Sequence, residues 1–290
     1  MSGRVPAVSH LSSEDVLHLQ KSMLVRRLGE GGSAKVDLVR WGKGVACLKV
    51  AKREGVREEF LREADILHLV GGAGGAPRLL AMAEHPPALL VSFRGYWTFH
   101  SFRSLRPPDL TYLHVLWSLA ECVAEIHTAG VVHTDLKPDN VMVTLPKRPD
   151  GLAKVRIVDF GHGRLAGEYP VICDGLCPAR YFWVSPEALS GGRISPASDV
   201  YSLGVLMNQV SSWMQDSPPT LPLLAARATR PHPGDRCDLR EVRRVRSNAF
   251  SSIRLSNALT GIYSLGVLMK QVSPWMQDSR PRSSSSSSAQ

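Results

Sequence analysis

The stretch that decides the fold is HTDLKPDN at residues 133–140, followed later in the chain by Asp159-Phe160-Gly161. Phosphoryl transfer from ATP requires a carboxylate that orients the attacking hydroxyl and a cation that lies beside the phosphates. It also requires oxygen or amide ligands that hold Mg²⁺ against the β- and γ-oxygens. The loop and the later turn supply these groups as Asp135, Lys137, Asn140 and Asp159. Their order and spacing predict a phosphoryl-transfer site.

A glycine-rich stretch, LGEGGSAKV at residues 28–36, lies in the N-terminal part of the chain. Glycine lets a backbone approach phosphates closely and present N–H groups to them, because no Cβ intervenes. An apolar run at residues 45–48 follows and ends in Lys49, which is typical of a strand that delivers a lysine. The two segments together predict a phosphate-binding region.

Residues 57–69 carry apolar side chains at rough helical spacing and predict an amphipathic helix. Glu63 falls on the apolar side of this helix, at spacings of three and four residues from two apolar neighbours. Glu63 is therefore the best acidic partner for Lys49, and Glu59 is the weaker alternative.

The motifs resemble those of the eukaryotic protein kinase family, in family order, from about residue 24 to about residue 245. Ala34 stands where the third glycine of that family's loop is usual. Later stretches carry the resemblance further. Ser185-Pro186-Glu187 is similar to the family's Ala-Pro-Glu, and residues 199–204 are similar to the start of its buried helix. Arg236 is similar to the arginine that pairs with the glutamate of Ala-Pro-Glu. The resemblance implies an α+β fold of two lobes, a small β-rich N-lobe and a larger, mainly helical C-lobe, with ATP between them.

The resemblance also implies the cofactors and the roles of the site residues. ATP and Mg²⁺ are expected, with Asn140 and Asp159 as metal ligands. Asp135 is expected to orient the substrate hydroxyl and accept its proton, while Lys137 neutralises the γ-phosphate. The residues expected to bind or position the nucleotide are Leu28, Gly29, Gly31, Val36, Lys49, Glu63 and Met142. Simple core packing explains Val36 and Met142 equally well.

The favoured function is an ATP-dependent protein kinase that acts on Ser or Thr hydroxyls of protein substrates. Lys137, two residues after Asp135, favours the Ser/Thr branch, whereas WVSPE at residues 183–187 leans towards the tyrosine or tyrosine-kinase-like branch. A pseudokinase or scaffold is the alternative function. It is supported by Ala34 and by a segment between Asp199 and Arg236 that is shorter than usual for the family.

The chain is predicted to comprise three regions: an N-terminal extension at 1–22, a kinase domain at 23–246 and a tail at 247–290. The kinase domain is predicted to divide into an N-lobe at about 23–94 and a C-lobe at about 95–246. The bounds rest on the positions of the motifs.

The tail contains a near-copy of an earlier segment, since residues 201–217 recur at 263–279 with two differences. A recent partial duplication or an assembly error in the sequence explains the identity, and a non-folding product of a rearranged gene is a third interpretation of the chain. The first copy is preceded by Asp199, which is well placed to bond the catalytic loop, residues 133–140. The second copy is expected to be a loosely docked or mobile helix, and the serine run at 283–288 to be disordered.

Shorter patterns predict the elements around the site. An apolar stripe from residue 113 to 126 predicts a helix. Short strands are predicted at 131–132 and 141–143, on either side of the catalytic loop. Residues 88–93 are predicted to form a strand whose end is the hinge between the two lobes. The glycine-rich run at 71–77 is not followed by Gly-Lys-Ser/Thr, so it is predicted to be a flexible connection rather than a phosphate loop.

Composition limits the partners and the compartment. The chain has 290 residues, of which 43% are apolar, enough for a two-lobed domain with a good core. The net charge is +9 and arginines cluster at 227–246, but no aromatic residues are interleaved for base stacking. A solvated basic helix face is therefore favoured, and no nucleic-acid partner is expected.

The cysteines and the apolar runs predict a cytoplasmic protein. Five scattered cysteines give no disulfide framework, which suits a reducing compartment. The first 14 residues lack the apolar core of a secretion signal, and no window approaches 18 apolar residues. Neither secretion nor a membrane span is predicted.

Overall fold

The structure is a computed structural model that describes residues 8–145, 152–170 and 177–243. A β-sheet forms the N-terminal part and helices dominate the C-terminal part, which confirms the predicted α+β, two-lobed fold. The repeat at 263–279 and the serine run lie outside the described residues, so both expectations for the tail stay predictions. In the described ranges, no helix is both long enough and apolar enough to cross a membrane.

The N-lobe is built on one sheet, which positions the lysine of the site. Its strands are β1 (Ser9–His10), β2 (Leu24–Glu30), β3 (Ala34–Trp41), β4 (Gly44–Ala51), β5 (Leu79–Glu84) and β6 (Pro87–Ser92). They lie in the order β1-β5-β6-β4-β3-β2, with β1 parallel to β5 and the other neighbours antiparallel. Side chains alternate along β4, so that Leu48 and Val50 are buried on one face and Lys49 lies on the other.

Residues 8–22, the described part of the predicted N-terminal extension, pack on the N-lobe. Helix α1 (Ser13–Lys21) begins with a capping box in which the side chains of Ser12 and Asp15 bond each other's backbone N–H. Its buried Val16 and Leu19 join the cluster on the Leu48 face of the sheet. The sequence did not show this because β1 has only two residues, too few for an alternating pattern.

The C-lobe has its core around one long helix. Its helices are α3 (Phe99–Phe102), α4 (Asp109–Thr128), α5 (Pro186–Leu189), α6 (Pro196–Ser211) and α7 (Thr220–Ala228), whereas α2 (Arg57–Val70) belongs to the N-lobe. Short strands are β7 (Trp97–Thr98), β8 (Val131–Val132), β9 (Val141–Thr144), β10 (Lys154–Ile157) and β11 (Arg164–Leu165). The predicted apolar stripe of α4 is buried, and β8 and β9 flank the catalytic loop as predicted.

The prediction of a flexible connection at residues 71–77 is wrong. The run forms a 3₁₀ turn at Ala73–Gly75 that packs against α4, and the N–H of Gly74 donates to Glu125 Oε2 at 2.7 Å. A Cβ on Gly74 would lie 2.6 Å from the carbonyl oxygen of Cys122, and the φ of Gly74 is +59°. Glycine is therefore required by close packing and left-handed geometry, two causes that composition does not distinguish from flexibility.

Gly204 tests how closely α6 and α7 pack. A Cβ added there would lie 2.6 Å from the Cβ of Ala228, so Gly204→Val overpacks the contact. We expect the free energy of unfolding to fall by about 2 kcal/mol in urea denaturation. The control Gly55→Ala adds a Cβ that meets no atom within 4 Å, and we expect it to change stability by less than about 0.5 kcal/mol. Wild-type stability of Gly204→Val would contradict this packing.

Candidate active site

Lys49 joins the two lobes. Its Nζ donates to Glu63 Oε2 at 2.7 Å and to Asp159 Oδ1 at 2.9 Å. Glu63 comes from α2 in the N-lobe, whereas Asp159 follows β10 in the C-lobe. The structure thus brings together the pair that the helical spacing selected, while the weaker alternative, Glu59, is exposed.

The charges in this trio favour the ionised form of Asp159. The positive charge of Lys49 holds the pKa of the Asp159 carboxyl well below its ordinary value. Burial alone would lower the pKa of the Lys49 ammonium, but Glu63 and Asp159 outweigh burial and raise it. Burial raises the pKa of Glu63, against the opposing effect of Lys49. Lys49 and Asp159 are therefore both charged at neutral pH.

The carboxylate of Asp135 is held at both oxygens. Its Oδ2 accepts hydrogen bonds from Lys137 Nζ at 2.7 Å and from Asn140 Nδ2 at 2.9 Å. Its Oδ1 accepts one from the indole Nε1 of Trp183 at 2.7 Å. Asn140 also donates to the Asp135 carbonyl at 2.8 Å, so the contacts made within the loop hold Oδ2, whereas Oδ1 is held by Trp183. Sequence reasoning did not find the contribution of Trp183, since no local pattern links it to the loop.

A buried carboxylate on α6 fixes the catalytic loop. Asp199 Oδ2 accepts from the N–H of His133 and from His127 Nε2, and Oδ1 accepts from the N–H of Thr134, each at 2.8 Å. Burial alone would raise the pKa of Asp199, but the hydrogen bond and charge of His127 lower it. Thr134 has a φ of +65°, an uncommon conformation for a residue with a Cβ, and the bond to Asp199 holds it there. Asp199 thus contacts the loop as the sequence suggested.

In the Asp-Phe-Gly turn, Phe160 is buried whereas the side chain of Asp159 is half-exposed. Phe160 is buried against the ring of His133, with centroids 4.9 Å apart, and Asp159 adopts a φ of +65°. A Cβ on Gly161 would lie 3.4 Å from Glu63 Oε2 and within reach of the lysine ammonium. These are ordinary contact distances, so the turn packs directly against the ion pair that joins the lobes.

Apart from Lys49 and Glu63, the predicted nucleotide-binding residues lie on the β2–β3 hairpin and on β9. The hairpin of β2 and β3 carries Leu28, Gly29, Gly31 and Val36, and β9 carries Met142. The hairpin turn is closed by a bond from the N–H of Gly31 to the carbonyl of Ala34, and the Ala34 methyl is buried. Val36 pairs in register with Lys49 across β3 and β4, which places the end of the glycine-rich stretch beside the lysine. Contact of these residues with a nucleotide stays a prediction.

Glu187 and Arg236 form the ion pair that the motifs predicted. The guanidinium donates from Nη1 to Oε1 at 2.8 Å and from Nη2 to Oε2 at 2.7 Å, a bidentate geometry. Arg236 is buried and also bonds the carbonyls of Ala197, Arg230 and Pro231. The pair therefore anchors the end of the activation segment, the chain between Asp159 and Glu187, to the C-lobe.

The prediction of a solvated basic helix face at residues 227–246 is wrong in part. Arg236 is buried, Arg227 pairs with Glu241, and Arg243 pairs with Glu121 on α4. The positions after 243 lie outside the described residues. Sequence clustering overstated the free charge because most of the acidic partners are distant in the chain.

The residues at the site fit Mg²⁺. The carboxylate of Asp159 is half-exposed, and the amide nitrogen of Asn140 is bonded to Asp135, which leaves the amide oxygen as a donor atom. Mg²⁺ prefers oxygen ligands and is usually bound by one or two protein groups together with substrate phosphates. Within the described ranges no three acidic, His or Cys side chains converge to hold a metal by themselves.

A lysine held by a helix glutamate in one lobe, facing an acidic turn of the other, is the arrangement of two-lobed phosphotransferases. The family model described as protein kinase domain matches residues 23–215, and the chain belongs to this family.

Similar proteins include the serine/threonine-protein kinase pkn2 of Myxococcus xanthus, which is 32% identical over 215 residues. That match covers 65% of this chain and 24% of the relative. The serine/threonine-protein kinase PknA of Mycobacterium tuberculosis is 42% identical over 80 residues, which cover 28% of this chain and 17% of the relative. The chain thus spans about a quarter or less of the length of these relatives.

Asp199→Asn tests the anchor of the catalytic loop. The substitution places an NH₂ group against buried donors and removes the charge that pairs with His127, so at least one donor loses its acceptor. We expect the free energy of unfolding in urea to fall by about 3 kcal/mol. Asp65→Asn, on an exposed position of α2, is the control and should change it by less than about 0.5 kcal/mol. Equal effects of the two substitutions would show that Asp199 is not an anchor.

Proposed function

We propose that this protein is an ATP-dependent protein kinase that transfers the γ-phosphate of ATP to Ser or Thr hydroxyls of protein substrates. The observation that carries the proposal is the closed contact of Lys49 with Glu63 and Asp159 across the two lobes. Protein kinases require this lysine–glutamate pair and the metal-binding aspartate to be in place together. The names of the relatives described above, both serine/threonine-protein kinases, support Ser and Thr as acceptors.

Each group has a defined task in this proposal. The substrate hydroxyl attacks the γ-phosphorus, the bond to the leaving ADP oxygen breaks, and Asp135 accepts the hydroxyl proton. Lys137, which already lies 2.7 Å from that carboxylate, neutralises charge on the transferred group. Asn140 and Asp159 would hold Mg²⁺, which when bound would supply positive charge beside the phosphates. Lys49 positions the α- and β-phosphates.

A pseudokinase is less well supported. Its first argument, Ala34, is weakened because the methyl is buried beside an intact hairpin turn. Its second argument, the short segment after Asp199, is weakened because α6 and α7 pack directly on each other and the Glu187–Arg236 pair forms. The proposed cytoplasmic location rests on the sequence alone.

Asp135→Asn tests the chemistry. It removes the proton acceptor, so we expect phosphate transfer from labelled ATP to casein, or to the chain itself, to fall about 10²- to 10⁴-fold. Binding of Mg-ATP, measured by calorimetry, should change little because Asp135 is not proposed to touch the nucleotide. Asp139→Asn is the matched control, since Asp139 lies in the same loop but is exposed.

The results separate the three interpretations. Full activity of Asp135→Asn would contradict the proposed base. A wild-type chain that binds Mg-ATP without transferring phosphate would be a pseudokinase. A chain without a cooperative unfolding transition would support the rearranged, non-folding product.

A further inference from the structure

Trp183 contacts both charged groups of the proposed catalytic loop. The edge of its indole donates from Nε1 to Asp135 Oδ1 at 2.7 Å. The face of its ring lies 5.1 Å from Lys137 Nζ, within the range of a cation–π contact. Tyr181 and Phe182 pack against the ring, with centroids 5.7 and 5.3 Å away. One side chain of the activation segment therefore touches the base and its neighbouring cation.

We propose that Trp183 is a positioning residue that selects which oxygen of Asp135 receives the substrate proton. The inference rests on the proposed function of Asp135 as the base. Oδ2 already accepts from Lys137 and Asn140, which engages both of its lone-pair positions. Oδ1 accepts from the indole alone among the described residues, so one acceptor position remains. That oxygen is the one able to bind a hydroxyl.

The indole bond is needed because a carboxylate turns easily. The terminal torsion of an aspartate has a broad, two-fold profile, so donors on one oxygen leave the other poorly placed. A donor on each oxygen fixes the plane of the group. Catalysis by a positioned group is sensitive to displacements of about 1 Å. Removing the N–H of Trp183 should therefore slow proton transfer and leave ATP binding unchanged.

Trp183 is itself held by neighbouring aromatic rings. Its ring lies within the aromatic group formed with Tyr181 and Phe182. Four residues later, Glu187 forms the bidentate pair with the buried Arg236. Only four residues therefore separate Trp183, which bonds Asp135, from the ion pair that anchors the segment to the C-lobe.

The test compares variants that remove the N–H and keep the ring. Trp183→Phe keeps an aromatic face for Lys137, and an analogue in which sulfur replaces the indole N–H keeps nearly the whole shape. We expect both to lower kcat for phosphate transfer to casein about ten- to hundredfold, because the lost bond is to a charged acceptor. KM for ATP and the melting temperature of the sulfur analogue should match the wild type. Trp213→Phe is the control for a ring-keeping substitution, at a tryptophan that packs on Phe99 and Tyr112.

Each result supports or overturns the proposal. An unchanged kcat in the sulfur analogue overturns it, and a raised kcat also does, since the indole would then shield the base. If the sulfur analogue also melted at a lower temperature, so that unfolding explained its lower kcat, Trp183 would act through packing instead of positioning. That result would likewise overturn the proposal. Activity of Asp135→Asn is measured in parallel: if that variant is inactive while the Trp183 variants are normal, the inference fails and the proposed function stands.

Discussion

The buried carboxylate of Asp199 is the interaction on which the site depends. It collects two backbone N–H groups of the catalytic loop and the imidazole of His127, so that a helix of the C-lobe core sets the path of the loop. The loop passes through a left-handed residue, Thr134, which an isolated chain would avoid. Asp135 follows directly, so its position rests on a bond made in the core.

The second constraint is the ion pair between the lobes. Lys49 bonds a glutamate from the N-lobe helix and an aspartate from the C-lobe, and each partner offsets part of the cost of burying the lysine. The Asp-Phe-Gly turn packs directly against this trio, since a Cβ on Gly161 would lie 3.4 Å from Glu63 Oε2. A charged Lys49 and a strongly acidic Asp159 are suited to phosphates and to a divalent cation.

Much of the site was readable from the sequence because its residues occur in short motifs or at helical spacing. The Lys49–Glu63 contact followed from a strand end and one helix face, and the Glu187–Arg236 contact from two motifs. The contact of Trp183 with Asp135 was not readable, because it joins segments far apart and leaves no periodic trace. The two-lobed fold was equally readable from the motifs, except in segments whose apolar residues follow no regular spacing.

Two errors show the limits of composition. The glycine run after α2 indicated flexibility, yet Gly74 packs closely on α4 and bonds Glu125. The arginine cluster near the end of the described chain indicated a solvated face, yet Arg236 is buried and others meet acidic partners elsewhere in the fold. In both cases, tertiary contacts decided what the local residue types left open.

A crystal structure of the chain with Mg²⁺ and a non-hydrolysable ATP analogue tests the central claim most directly. The account predicts the metal bound by Asn140 and Asp159, and the triphosphate beside Lys49 with the bond from Lys49 to Glu63 retained. A triphosphate bound away from Lys49, or a metal that touches neither Asn140 nor Asp159, would contradict it.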